Sequence, residues 1–171
     1  MEETEVNGGE QKVDGLRLSL SVSASDVISP LTKASATDAN AISDLNILVY
    51  NKDNNRLVKG LYLTGAALNG LTVNNNEENK AVNYDIALQN GSYRVRVIAN
   101  AESDLSAEPF DKIDNLSYGT LDNLPKMVMS ASADDVSVSG GKGSAILSLK
   151  RIYAMISVSV NTSGLKDRAA V

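Results

Sequence analysis

The stretch Ala145 to Val160, AILSLKRIYAMISVSV, changes the parity of its apolar positions part way along. From Ile152 the even positions are apolar, namely Ile152, Ala154, Ile156, Val158 and Val160, with Ser157 and Ser159 between them. Upstream the apolar positions are odd, Leu147 and Leu149. Period-two alternation marks a β-strand with one buried face. Side chains alternate strictly along a strand, so one flat strand cannot bury both sets. The switch falls at Lys150-Arg151. It requires a bulge that re-aims the strand or a passage between two packed sheets. Two ordinary strands meeting at a kink satisfy the pattern equally.

The same period recurs along the chain. Leu16 to Ala24, LRLSLSVSA, places Leu16, Leu18, Leu20, Val22 and Ala24 on one face and Arg17, Ser19, Ser21 and Ser23 on the other. One buried and one wet face suit an antiparallel or edge strand. Ile42 to Asn51 carries Leu45, Ile47 and Val49 on one face, and Lys52-Asp53-Asn54-Asn55 turns it into a partner strand at Arg56 to Leu63. Leu68 to Val73 reads as another short strand. Val82 to Gln89 and Tyr93 to Asn100 alternate on either side of Asn90-Gly91, a dipeptide suited to a type I′ hairpin turn.

Between Pro109 and Leu124 the period changes. Ile113, Leu116, Leu121 and Leu124 fit a short amphipathic helix with Asp111 as candidate N-cap, ended by Pro125. Met127 to Ala133, Val136 to Val138 and residues 145–160 return to strands, with Gly140 to Gly143 as a turn. The sum is an all-β chain with one short helix, a β-sandwich of about seven to nine antiparallel strands.

The polar stretches divide the chain further. Met1 to Gly15 reads as a disordered tail, and residues 162–171 as a second one. Ser25 to Ala41 is a 17-residue polar connector containing Pro30 and one basic residue, Lys33. Connectors of this length are uncommon inside compact domains and are preferred sites of proteolytic nicking.

Composition removes most chemistry. The 171 residues include no His, Cys or Trp. A Ser-His-Asp triad, a thiolate nucleophile and a zinc site of the usual nitrogen and sulfur ligands are therefore out of reach. The net charge of −5 argues against nucleic acid as a partner. No apolar run approaches the roughly 20 residues of a membrane-spanning helix. The acidic start MEETEVNGGEQ does not read as a signal peptide. Ser163 and Lys166 have Ser-x-x-Lys spacing but fall in the C-terminal tail. Ser139 to Ser144 lacks the hydroxyl residue directly after Lys142 that a phosphate-binding loop needs. Glu77-Glu78 and Asp134-Asp135 lack the spacing of a calcium loop and read as solvated charge. Neither enzymatic activity nor a cofactor is expected.

Several segments, in order, carry a resemblance: LNILVYN (45–51), NGSYRVRVIANAE (90–102), LPKMVMSA (124–131) and LSLKRIYAMISVSV (147–160). Together they make the chain similar to the fimbrillins of Bacteroidales, the FimA-type pilus subunits. The resemblance covers most of residues 16–161. It implies a transthyretin-like β-sandwich, the N-terminal one of two, in a protein exported as a lipoprotein to the outer-membrane surface. It implies assembly into adhesive, biofilm-forming fimbriae by strand exchange with other fimbrial subunits. In that scheme a surface protease cuts the loop after the first strand. The first strand, with Leu16, Leu18, Leu20, Val22 and Ala24, would be the removable one, and a neighbour's C-terminal strand would fill its groove.

The best-known members are cut after Arg, and none lies between Arg17 and Arg56, so the expected cleavage residue is Lys33. The chain also departs from the family in having no lipobox Cys and no second sandwich, so residues 162–171 are expected to lead toward a further domain. Burying the five apolar side chains of the first strand is worth on the order of 5–10 kcal/mol gross. The competing expectations are a non-polymerising surface binding module, with an aromatic-lined cleft for an unspecified receptor, and a fimbrial anchor or tip protein that keeps its first strand.

Overall fold

The computed structural model describes residues 15–22, 42–68, 82–116 and 128–152. Seven strands form them: β1 (Gly15–Val22), β2 (Asp44–Asn51), β3 (Leu57–Thr64), β4 (Val82–Ala87), β5 (Gly91–Ala99), β6 (Met129–Val138) and β7 (Lys142–Arg151). One short helix, α1 (Phe110–Asp114), lies between β5 and β6, and a 3-10 turn, Gly65–Leu68, follows β3. The strands make one ladder in the order β3-β2-β5-β6-β7-β1-β4.

The ladder folds over on itself. Leu16, Leu18 and Leu20 of β1, Ile86 of β4 and Leu149 of β7 share one core with Leu45 and Ile47 of β2, Val95 and Val97 of β5 and Met129 of β6. Two half-sheets, β4-β1-β7 and β3-β2-β5-β6, thus face each other as a sandwich does. The expectation of an all-β chain with one short helix holds.

At Lys150-Arg151 the strand β7 changes partner. Residues 142–149 of β7 pair with β1, whereas Lys150 and Arg151 pair with Ser130 and Met129 of β6. The β6–β7 hairpin is closed at its turn by the Ser139–Lys142 bridge and at its far end by those two pairs. Between them it opens into a recess of about 420 Å³ lined by Ser130, Ser132, Leu147 and Ser148. The apolar residues 154–160 that carry the other parity lie outside the described residues.

Other expectations need correction. The strands are not all antiparallel, because β1 runs parallel to β7 over its whole length. Nor is β1 an edge strand, since β4 flanks it on the other side. β4 and β5 are not a hairpin: β4 pairs with β1, and β5 pairs with β2 and β6. The Asn90-Gly91 corner instead carries the chain from one half-sheet to the other, and neither residue has the positive φ of a type I′ turn. The Asn90 side chain is spent on the neighbouring turn, accepting the Gly141 N–H at 2.9 Å.

Residues 129–138 do not form two strands; Met127 lies outside the described residues. β6 is a single strand bent by a bulge: Tyr93 pairs with Val136 and Val95 with Ala133, so Asp134 and Asp135 together oppose Arg94. The extra residue shifts the buried positions from odd to even. The short helix starts at Phe110 with Pro109 at the N-cap and no side-chain cap, so Asp111 lies in the first turn rather than at the N-cap. Leu68 closes the 3-10 turn instead of opening a strand, and residues 69–73, Leu121 and Leu124 lie outside the described residues. The β2–β3 hairpin forms as expected; Asn51 Oδ1 accepts the Asp53 and Asn54 N–H groups at its turn.

Candidate functional site: the slot of the first strand

β1 occupies a slot with a wall on each side. Antiparallel to β4 it sets Leu16 opposite Ile86, Leu18 opposite Tyr84 and Leu20 opposite Val82. Parallel to β7 it sets Leu18 beside Ala145, Leu20 beside Leu147 and Val22 beside Leu149. Leu16, Leu18, Leu20 and Val22 are all buried in the core, so the expected inward face is the observed one. Ala24 and Lys33 lie outside the described residues. Among the described residues, removal of β1 would leave β4 without a ladder partner and β7 with only its terminal pairs to β6. The slot would then present unpaired backbone on both walls above an apolar floor, a template for strand addition.

Two features fix β1 in register. On the outward face the Arg17 guanidinium grips Asp85 of β4 with two bonds, Nε to Oδ1 at 2.8 Å and Nη2 to Oδ2 at 3.0 Å. The hydrogen bonds from Arg17 hold the Asp85 carboxyl below its ordinary value of 3.8. At the start of the strand, the Gly15 N–H donates to the Gly141 carbonyl at 2.9 Å.

The sequence reading missed a second assembly on the other face of the β2-β5-β6 sheet. β2 buries both faces: Leu45, Ile47 and Val49 enter the main core, while Asn46, Leu48 and Tyr50 turn away from it and are equally buried. Leu48, Tyr50 and Ile98 form a second core with Leu105, Phe110, Ile113 and Val128. The loop from Asn100 to Glu108 is mounted on β2 side chains. The Asp44 carboxylate accepts the N–H groups of Ala101 at 3.0 Å and Glu102 at 3.1 Å. Asn46 donates to the Ser103 carbonyl at 3.0 Å and accepts the Leu105 N–H at 2.8 Å. The Tyr50 hydroxyl donates to the Glu108 carbonyl at 2.8 Å, and burial pushes its pKa up to about 12. Gly60 of β3 completes the mount, because a Cβ there would lie 1.7 Å from the Ser106 carbonyl oxygen. The signal was in the sequence: Asp44, Asn46, Leu48 and Tyr50 are the residues between the expected core positions.

Asp134 and Asp135, weighed above for calcium, are used in ion pairs. Asp134 lies 2.8 Å from Arg96, and Asp135 pairs with Lys52. No cluster of three or more metal-ligating side chains occurs among the described residues. Tyr50, Tyr93 and Phe110 are buried and Tyr62 and Tyr84 half-buried, so the described aromatics line no open cleft.

The described residues thus form an all-β sandwich in which β1, held between β4 and β7, supplies part of the shared core. The chain belongs to the major fimbrial subunit protein (FimA) family, which matches residues 16–161. Among solved structures the chain resembles a candidate adhesin from Bacteroides thetaiotaomicron VPI-5482, at 13% identity and a TM-score of 0.51, over 80% of this chain and 45% of that one. A fimbrial assembly protein from Parabacteroides distasonis ATCC 8503 aligns at 16% identity and a TM-score of 0.47, over 78% and 51% of the two chains. The tip fimbrial protein Mfa3 from Porphyromonas gingivalis aligns at 12% identity and a TM-score of 0.42, over 77% and 47%. The chain thus spans about half the length of the solved structures it matches. No curated protein matches it.

Proposed function

We propose that the protein is a structural subunit of an adhesive cell-surface fimbria, exported as an outer-membrane lipoprotein. In this reading a protease cuts the β1–β2 connector at Lys33, β1 leaves its slot, and a strand of another fimbrial subunit takes its place. Family membership supports the fimbrial role. The observation that carries the exchange step is the position of β1. It is the middle strand of β4-β1-β7 and supplies four buried aliphatic side chains. Its covalent link to β2 is the stretch of residues 23–43. Cutting that connector separates strand from domain without cutting the core.

The test is brief trypsin digestion of the folded protein, followed by native and denaturing mass measurement. The proposal expects a cut at Lys33 with β1 retained until denaturant or a competing strand peptide is added. The second reading is a tip, anchor or surface binding protein with a permanent first strand. Its support is that β1 is paired along both sides rather than at an edge. A connector that resists cleavage, or a domain that unfolds irreversibly once cut, would favour that reading.

A further inference from the structure

The slot is not a generic apolar groove. From its walls we infer that it selects strands by sequence, at three kinds of position, and so fixes which strands of other subunits can enter it. This inference rests on the strand-exchange reading only for the origin of the incoming strand; the selection rule itself concerns the slot.

The first requirement is glycine at the entrance. Gly15 has φ +155°, and a Cβ built on it would lie 2.1 Å from the Ile86 carbonyl oxygen and 2.8 Å from the Leu88 nitrogen. Both atoms are backbone of the wall strand or its immediate continuation, so neither can turn aside as a side chain could. The Gly15 N–H also satisfies the Gly141 carbonyl. A strand with any side chain at this position collides, and a strand that stops short leaves that carbonyl without its donor.

The second requirement is a large aliphatic residue at the first, third, fifth and seventh positions after the glycine. Leu16, Leu18 and Leu20 are at most 1% exposed, and Val22 is 4% exposed. Smaller residues leave cavities, and polar ones are buried without partners. The third requirement is a cation at the second position, where Arg17 meets Asp85 with both guanidinium bonds. An acidic residue there would face a carboxylate across the ladder.

Within residues 1–171, Gly15–Val22 is the only stretch that meets all three requirements. Gly60 fails at its fifth position, occupied by Gly65, and Gly70 at its fifth, occupied by Asn75. On the strand-exchange reading, the strand of another subunit that enters the slot repeats this glycine, aliphatic and cation pattern.

The test has two arms. In the first, hydrogen exchange of the β1 amides is followed in the intact chain. Gly15→Ala is expected to accelerate exchange of β1 at least tenfold and Arg17→Glu a few-fold, whereas the Arg17→Glu/Asp85→Lys pair restores protection. Ser21→Ala serves as the unaffected control. Unchanged protection in Gly15→Ala, or no rescue by the charge swap, would overturn the rule. Should Gly15→Ala fail to fold, the charge-swap pair decides.

In the second arm, trypsin-nicked protein is challenged with the peptides GLRLSLSV, ALRLSLSV and GLELSLSV. The first is expected to displace β1 at least tenfold more effectively than the second and a few-fold more effectively than the third. Equal competition by all three overturns the rule. If no peptide enters while the first arm behaves as expected, the rule stands and the exchange reading falls.

Discussion

The guanidinium of Arg96 lies 5.0 Å from the centre of the Phe110 ring. Arg94 covers the same ring at 5.3 Å, and Tyr50 meets it edge-on, also at 5.3 Å between ring centres. Arg96 is further tied to Asp114 of α1 at 3.0 Å and to Asp134 of the β6 bulge at 2.8 Å. One aromatic side chain thus pins a five-residue helix, too short to be stable alone, onto the outer face of the sheet.

Phe110→Ala should therefore cost about 3–5 kcal/mol of folding stability, as for other buried Phe truncations. Urea denaturation measures it. A loss below about 1 kcal/mol would mean that the second core is dispensable.

Asp44→Ala should release the loop after β5, since two N–H donors lose their carboxylate. Losing these part-buried bonds to a charged acceptor costs about 1–3 kcal/mol. Hydrogen exchange at Ala101 and Glu102 should rise before that of the β2 amides. Simultaneous exchange of both would show that the loop does not open separately.

Gly60→Ala forces β3 and the loop at Ser106 apart. Overpacking of this kind costs about 1–3 kcal/mol. Thermal melting of the variant tests it, and a simultaneous deletion within residues 103–107 should relieve part of the loss by removing the colliding backbone.

Acid should weaken the hold on β1. Arg17 lowers the Asp85 carboxyl in the folded protein below its ordinary value of 3.8, so the unfolded chain binds that proton more readily. The contribution is fully present above the ordinary value and is lost as pH falls through the lower, folded one. The pair is partly exposed, so the amount is about 0.5 kcal/mol. Comparing wild type with Asp85→Asn between neutral pH and pH 2 should show the difference between them closing below pH 4. A difference that persists at pH 2 would exclude this carboxylate as its source.

Much of the fold was legible because the inward residues of β1, of β2 from Leu45 to Val49 and of β7 from Ala145 to Leu149 alternate without interruption. What was not legible has identifiable causes. Asn90-Gly91 signals a reversal of the chain, and a local signal does not say which sheet the next strand joins. The bulge at Asp134-Asp135 made one strand look like two, since one inserted residue reverses the parity of everything after it. The second face of β2 was hidden because Leu48 and Tyr50 are interspersed with an already sufficient core pattern. For the slot, alternation gave the burial of Leu16, Leu18, Leu20 and Val22. The parallel partnership with β7 and the contact of Gly15 with the Ile86 carbonyl depend on residues far away in sequence and left no local trace.

The double flanking of β1 also bears on mechanics. A strand paired along both sides and drawn along its own axis loads its ladder bonds together, in shear, instead of opening them one at a time as a pulled hairpin end does. Any strand held in that slot between β4 and β7 would resist tension as a cooperative joint, with a lifetime under load set by its rate of forced unfolding rather than by its equilibrium stability.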